Sequence, residues 1–86
     1  MRSTFKKILT FISVAETGSF ETAAHELHIT SSAVSFRIKS LEDELKLKLL
    51  IRCRPCTLTH QGKIFYKYAT QLYECQQQFE QELLSD

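Results

Sequence analysis

The stretch "AAHELHITSSAVSFRIKSLEDEL", Ala23 to Leu45, contains two helical patterns joined by very few residues. Ala23, Ala24 and Leu27, with Phe20 before them, make one apolar face of a short helix that ends near His28. The two alanines let a neighbouring helix approach closely. Thr30 is placed to cap the next helix by accepting from the N–H of Ser32 or Ala33. In that helix Val34, Ile38, Leu41 and Leu45 recur at steps of four, three and four, which predicts a buried underside. Ser32, Phe36, Lys39 and Asp43 then point the opposite way. Ser35 and Ser40 flank them, and Arg37 lies nearer the core edge. Two helices joined this tightly form a helix-turn-helix, whose second helix enters the major groove of DNA. The competing reading is a helical hairpin in a bundle, which has no need of "TSSAVS" at a helix start.

Upstream, Phe5, Ile8, Leu9, Ile12 and Ala15 predict a first helix over Ser3–Thr17, capped by Ser3 or Thr4 and ended by Gly18. Ser19 is the expected N-cap of the second helix. Downstream, Leu50–Arg52 and Thr57–Thr59 are short extended runs about the tip "CRPC", a two-stranded wing. From Gln61 to Leu84 a long helix carries Phe65, Tyr68, Leu72, Cys75, Phe79 and Leu83 at steps of three, four, three, four and four. That row is the seam of a coiled coil between two copies, with packing back on its own domain as the alternative.

The chain has 86 residues, 43% hydrophobic and 24% charged, which suits one soluble domain with a small core. No apolar run is long enough to span a membrane. "ILTFISVAETGSF" is interrupted by Ser13, Glu16 and Thr17, which argues against a secretory signal. Three cysteines argue against a disulfide framework and point to a reducing cytoplasm. The net charge of +1 is unevenly spread: residues 1–30 balance, 31–63 carry an excess of four positive charges, and 64–86 an excess of three negative. A basic middle third between neutral and acidic supports is the footprint of a polyanion-binding element.

The segment "FISVAETGSFETAAHELHITSSAVSFRIKSLEDEL", followed by "LLIRCRPCTLTHQG", closely resembles the N-terminal winged helix-turn-helix of the LysR-type transcriptional regulators. The shared pattern runs through Ala15-Glu16, Gly18-Ser19-Phe20, Ala23-Ala24, Leu27, Ile29-Thr30, Ala33-Val34-Ser35, Ile38, Leu41-Glu42, Leu45, Leu50, Arg52, Leu58-Thr59 and Gly62, within a likeness over about residues 3–84. The resemblance implies a mainly α fold: a three-helix core with a two-stranded wing over residues 1–60, then a dimerisation helix over 61–86. It also implies sequence-specific binding of double-stranded DNA by a bacterial, cytoplasmic transcriptional regulator, as a homodimer joined through Phe65, Tyr68, Leu72, Cys75, Phe79 and Leu83. Family members usually continue into a large domain that senses a small-molecule effector. The chain is expected to be the DNA-binding part of such a protein or a naturally short relative.

Carried over position by position, the resemblance places Ser31, Ser32, Ser35 and Phe36 against bases or adjacent phosphates. Arg37 and Lys39 go to phosphates, Arg52 and Arg54 to the backbone or minor groove beside the wing, and Thr30 and Thr59 complete the DNA-facing set. The family often has Gln, Pro and a polar residue where Ser31, Ser32 and Phe36 stand, Gly for Lys46 and Phe for Leu50. Phe36 donates no hydrogen bond; it either touches a thymine methyl or simply lies exposed.

Other constellations carry less. Cys53 and Cys56, with His60 four residues on, fall short of a four-ligand zinc site, and two reduced wing-tip thiols are expected, activated to whatever extent Arg52 and Arg54 lower their pKa. His25 and His28, spaced i, i+3, lack further ligands for a metal. Glu42, Asp43 and Glu44 read as a solvated face. No enzyme signature and no cofactor motif is present. The alternative function is an interaction protein that heterodimerises with full-length regulators through the last helix and antagonises them.

Overall fold

The computed structural model describes the backbone of residues 2–84 and the side chains of residues 4–84. Its elements are α1 (Arg2–Thr17), α2 (Phe20–Leu27), α3 (Ser31–Leu45), β1 (Leu50–Ile51), β2 (Thr57–Leu58) and α4 (His60–Leu84). α1 begins at Arg2, so Ser3 and Thr4, expected to flank its start, both stand within the helix.

Local chemistry sets the other boundaries. Gly18 ends α1 at φ 69°, its N–H reaching the Val14 carbonyl at 2.8 Å. The Ser19 hydroxyl accepts from the Thr22 N–H at 3.1 Å and starts α2. His28 closes α2 in the left-handed conformation, at φ 58°. Thr30 Oγ1 accepts from the Ala33 N–H at 3.0 Å and starts α3. The turn between α2 and α3 is therefore short because one helix is closed and the next opened within three residues, His28 to Thr30.

The buried centre is formed by Phe11 and Val14 of α1, Ala23 and Ala24 of α2, Val34, Ile38 and Leu41 of α3, and Leu49 and Leu50. On α1 Ile8 and Ile12 are buried as expected, but Phe11 and Val14, outside the expected stripe, are fully buried, and Phe5, Leu9 and Ala15 are only half-buried. Phe11 meets Phe65 and Tyr66 of α4 edge-on, with centroids 5.3 and 6.5 Å away. The first turns of α4 therefore belong to the core, and Phe65 leaves the intermolecular seam expected for it. Leu45, expected in the α3 underside, is exposed at the end of its helix.

Polar ties fix the helices around this centre. The buried Thr10 hydroxyl donates to the Lys6 carbonyl at 2.8 Å and accepts from Arg37 at 3.3 Å. Ser13 donates to Glu26 at 3.0 Å, and Lys7 pairs with Glu44. The Tyr66 hydroxyl donates to Glu16 at 2.8 Å, joining α4 to α1. That hydrogen bond, aided by burial and by the Glu16 charge, raises the Tyr66 phenol above its ordinary pKa. The folded state thus prefers the protonated phenol. Its stabilisation is complete below the unfolded tyrosine pKa and disappears as pH rises through the raised folded value. Tyr66→Phe is expected to cost about 1 kcal/mol or less at neutral pH. The gap from wild type should close as pH rises past the tyrosine range, and urea melts across pH 7–11 measure it.

The wing is antiparallel, with Leu50 opposite Leu58 and Ile51 opposite Thr57. Each strand is one residue shorter than expected. Arg52 lies just past β1, and Thr59, just past β2, caps α4, which begins at His60: its hydroxyl accepts from the Gly62 N–H at 2.9 Å and donates to the Lys48 carbonyl at 2.5 Å. With 25 residues α4 is about 37 Å long and runs past the core, stretching the molecule to 44 Å. Among the described residues no helix is long and apolar enough to cross a membrane.

Candidate nucleic-acid interface

The first two turns of α3 rest on Val34 and Ile38, both wholly buried, with Leu41 beneath the next turn. Sealing that underside turns Ser31, Ser32, Phe36 and Lys39 to solvent and leaves Ser35 and Ser40 half-exposed at the sides. Thr30, at the exposed start, adds the helix N-terminus, where free N–H groups and the dipole favour an anion.

The wing is locked to this face by Arg52. Its guanidinium donates to Ser35 Oγ at 3.1 Å, lies 5.2 Å from the Phe20 ring centroid, and comes within 3.9 Å of Glu42 Oε1. Three elements, α2, α3 and β1, are thereby held at one side of the recognition surface. Arg54 is different: its side chain is 94% exposed, and its nearest acid is Glu21, itself exposed, at 3.9 Å. An exposed pair of that length is worth little and yields readily to a phosphate. Lys39 faces Asp43 at 3.6 Å on the same terms.

Glu42 corrects the expectation of a solvated acidic face. Only Asp43 and Glu44 are exposed; Glu42 is 6% exposed. Its Oε2 accepts from the N–H groups of Leu49 and Leu50 at 2.8 and 3.3 Å, and its Oε1 faces Lys48 and Arg52, each at 3.9 Å. The carboxylate thus hangs the entry to the wing from α3.

Two residues expected at DNA are committed inside the protein. Arg37 is half-buried and turned back to Thr10, so it braces α3 on α1. Thr59 caps α4. Lys48, not singled out from the sequence, is an exposed cation that faces Glu42 Oε1 together with Arg52, each at 3.9 Å.

The wing tip holds Cys53, exposed, and Cys56, half-buried, both free. Burial raises the Cys56 thiol pKa; Arg52 and Arg54 oppose it, and the neighbouring Cys53 and Glu21 add to it. The arginines therefore do not activate Cys56 as expected. His28 lies past the end of α2, so His25 and His28 do not share a helical face. Among the described residues no group of three or more His, Cys, Asp or Glu is placed to hold a metal ion.

On α4 the exposed apolar row is Ile64, Tyr68, Leu72, Phe79 and Leu83, with Cys75 exposed between Leu72 and Phe79. Ile64 replaces Phe65 at its head. Leu72, Cys75 and Phe79 also line an apolar groove against Phe5 and Ile8 of α1.

The family model described as "Bacterial regulatory helix-turn-helix protein, lysR family" matches residues 5–63. The chain is 48% identical over 58 residues to the transcriptional regulator LysG of Mycobacterium tuberculosis, covering 67% of this chain and 19% of that protein. It is 41% identical over 78 residues to the transcriptional activator AaeR of Escherichia coli, covering 88% and 25%. The chain thus spans about a fifth to a quarter of the length of these curated relatives. Among solved structures, the BenM DBD/benA site 1 DNA complex superimposes with a TM-score of 0.85 at 37% identity, over 87% of this chain and 85% of that one. The CbnR DBD–DNA complex does so with a TM-score of 0.85 at 29% identity, over 91% of each.

Proposed function

From a chain that belongs to the LysR family of bacterial regulatory helix-turn-helix proteins, we infer a transcriptional regulator that binds double-stranded DNA as a homodimer in the bacterial cytoplasm. The observation that carries this reading is the outward display of Ser31, Ser32, Ser35, Phe36 and Lys39 over a sealed underside, with Arg52 and Arg54 alongside. Domains of the same shape are crystallised on DNA. In this reading α3 lies in the major groove, its serines within reach of base edges. Lys39, Lys48 and Arg54 take phosphates, and Arg52 fixes the wing's angle to the helix.

The dimer is read from α4. Tyr68, Leu72, Phe79 and Leu83 leave a continuous apolar row in water, and burying such a row against a second copy removes that cost. Two-fold symmetry would set the two α3 helices about 34–36 Å apart, one turn of duplex. Antagonism without DNA contact is not favoured, because it leaves the outward serines and wing cations without a role.

Sedimentation of the chain, with titration of random-sequence duplex at low salt, tests the reading. A dimer is expected, binding duplex with a Kd of about 10⁻⁶ M or tighter and weakening steeply as salt rises. A protein with no duplex affinity at low ionic strength overturns it. Arg54→Ala should weaken binding to all sequences alike and lower the salt slope by about one per protomer, with no change in melting. A loss confined to one base position would contradict its assignment to phosphate.

A further inference from the structure

We propose that Phe36 reads the C5 methyl group of thymine in the major groove and so sets the base preference at one position of each half-site. The proposal rests on the reading of α3 as the helix that enters the groove. Phe36 is 71% exposed, although it is the largest side chain on the outer face of α3. Its helical neighbours explain why the ring stands clear. Ser32 at i−4, Ala33 at i−3 and Ser40 at i+4 are too short to lie across it. Lys39 at i+3 is long enough, but its ammonium is turned to Asp43 at 3.6 Å. Among the described residues Phe36 makes no aromatic or cation–π contact.

The ring instead forms part of a shallow concavity with Ser32, Ser35, Lys39, Ser40 and Asp43. Hydroxyls and the Lys39–Asp43 ion pair surround one apolar patch. The matching surface is polar with a single apolar projection. Base edges in the major groove offer guanine, adenine and thymine acceptors, cytosine and adenine donors, and one apolar group, the thymine methyl. A phenyl ring has no donor for O6 or N7 and no acceptor for an amino group, so opposite any other base edge it would desolvate a polar group without replacing its hydrogen bond. Against the methyl it buries apolar surface on both sides. One such methyl contact is worth about fourfold in affinity, and two half-sites of a dimer about fifteenfold.

The experiment begins with selection of duplexes from a random-sequence pool by the full chain, in parallel with Phe36→Ala. The substitution lies outside the core, so the variant is expected to fold, and its thermal melt is recorded. The best wild-type duplex is then rebuilt with deoxyuridine in place of each thymine in turn, which removes the methyl and keeps the base pair. The expected result is one thymine per half-site whose replacement costs wild type about fourfold and costs Phe36→Ala nothing. An enriched duplex in which every replacement is neutral, or in which both proteins respond equally, overturns the role of Phe36 and leaves DNA binding standing. A selection that enriches nothing removes the DNA reading itself, and this inference with it. If Phe36→Ala changes the oligomeric state but not base preference, the ring is a protein contact and the proposal is wrong.

Discussion

Gly62→Ala is expected to lower stability by about 3 kcal/mol or more, a fall in Tm of at least about 12 °C for a domain of this size. Gly62 is buried in the first turn of α4, in ordinary helical geometry. Helix propensity alone would make alanine the better residue there by about 1 kcal/mol. Packing reverses the sign. A Cβ at Gly62 would lie 2.0 Å from the Leu49 carbonyl oxygen and 3.0 Å from its carbon. Both are backbone atoms and cannot rotate aside. The Leu49 carbonyl is already fixed by the Thr59 N–H at 3.0 Å, and Thr59 in turn caps α4 through Gly62. Relief must come from lifting the start of α4 off the wing, which strips Phe65 and Tyr66 from Phe11. Gly18→Ala provides the comparison. Its φ of 69° costs an alanine about 1–2 kcal/mol, and its Cβ would meet Pro55 Cβ at 3.3 Å, a tight contact but far less severe than 2.0 Å from a carbonyl oxygen. Urea and thermal melts of both variants decide the matter. A Gly62→Ala protein as stable as wild type would mean that helix propensity governs this turn.

These two glycines also mark how far local chemistry reaches. The α2–turn–α3 unit was legible because its determinants lie within a few residues of each other: Gly18 and Ser19 at one junction, Thr30 at the next, and a clean period under Val34, Ile38 and Leu41. The outward face of α3 followed as the complement of that stripe. The face of α1 followed only at Ile8 and Ile12, because Ile8, Leu9, Phe11, Ile12, Val14 and Ala15 surround most of the helix with apolar groups. Only contact with α3 and α4 selects Phe11 and Val14. The same ambiguity separates Ile64 from Phe65 on α4, where one apolar residue faces water and the next enters the core. Arg37 and Thr59 had the chemistry of DNA ligands, but their partners, Thr10 and Gly62, become visible only when the chain is folded. Lys46, where the resemblance implies glycine, adopts φ 57°, so the backbone geometry is kept although the residue that makes it easiest is not.

Glu42 is the position where sequence and structure diverge most, and Glu42→Ala is the second variant with a large expected effect, a loss of about 3–4 kcal/mol. In the sequence it is one of three consecutive acids, and truncating a solvated acid changes stability by no more than about 0.5 kcal/mol. In the fold its carboxylate accepts from two backbone N–H groups, those of Leu49 and Leu50, both in buried residues. Alanine leaves those donors without their acceptor, at about 1–3 kcal/mol each, and removes the negative partner of Lys48 and Arg52. Glu42→Gln retains an amide oxygen for the N–H groups but no charge for the two cations, so it should lose roughly half as much. The order wild type, Gln, Ala in urea midpoint is the test, and an alanine variant within 0.5 kcal/mol of wild type would return Glu42 to the solvated face. The consequence extends to the proposed DNA surface. The Glu42 carboxylate holds the segment that leads into β1, and Arg52 at the end of that segment holds Ser35. Loosening the first link should tilt the wing against α3, so at a temperature where the variant remains folded, duplex affinity should fall for every sequence alike. Loss of affinity for one operator variant alone would instead implicate a base contact, which a buried carboxylate beneath the helix cannot make.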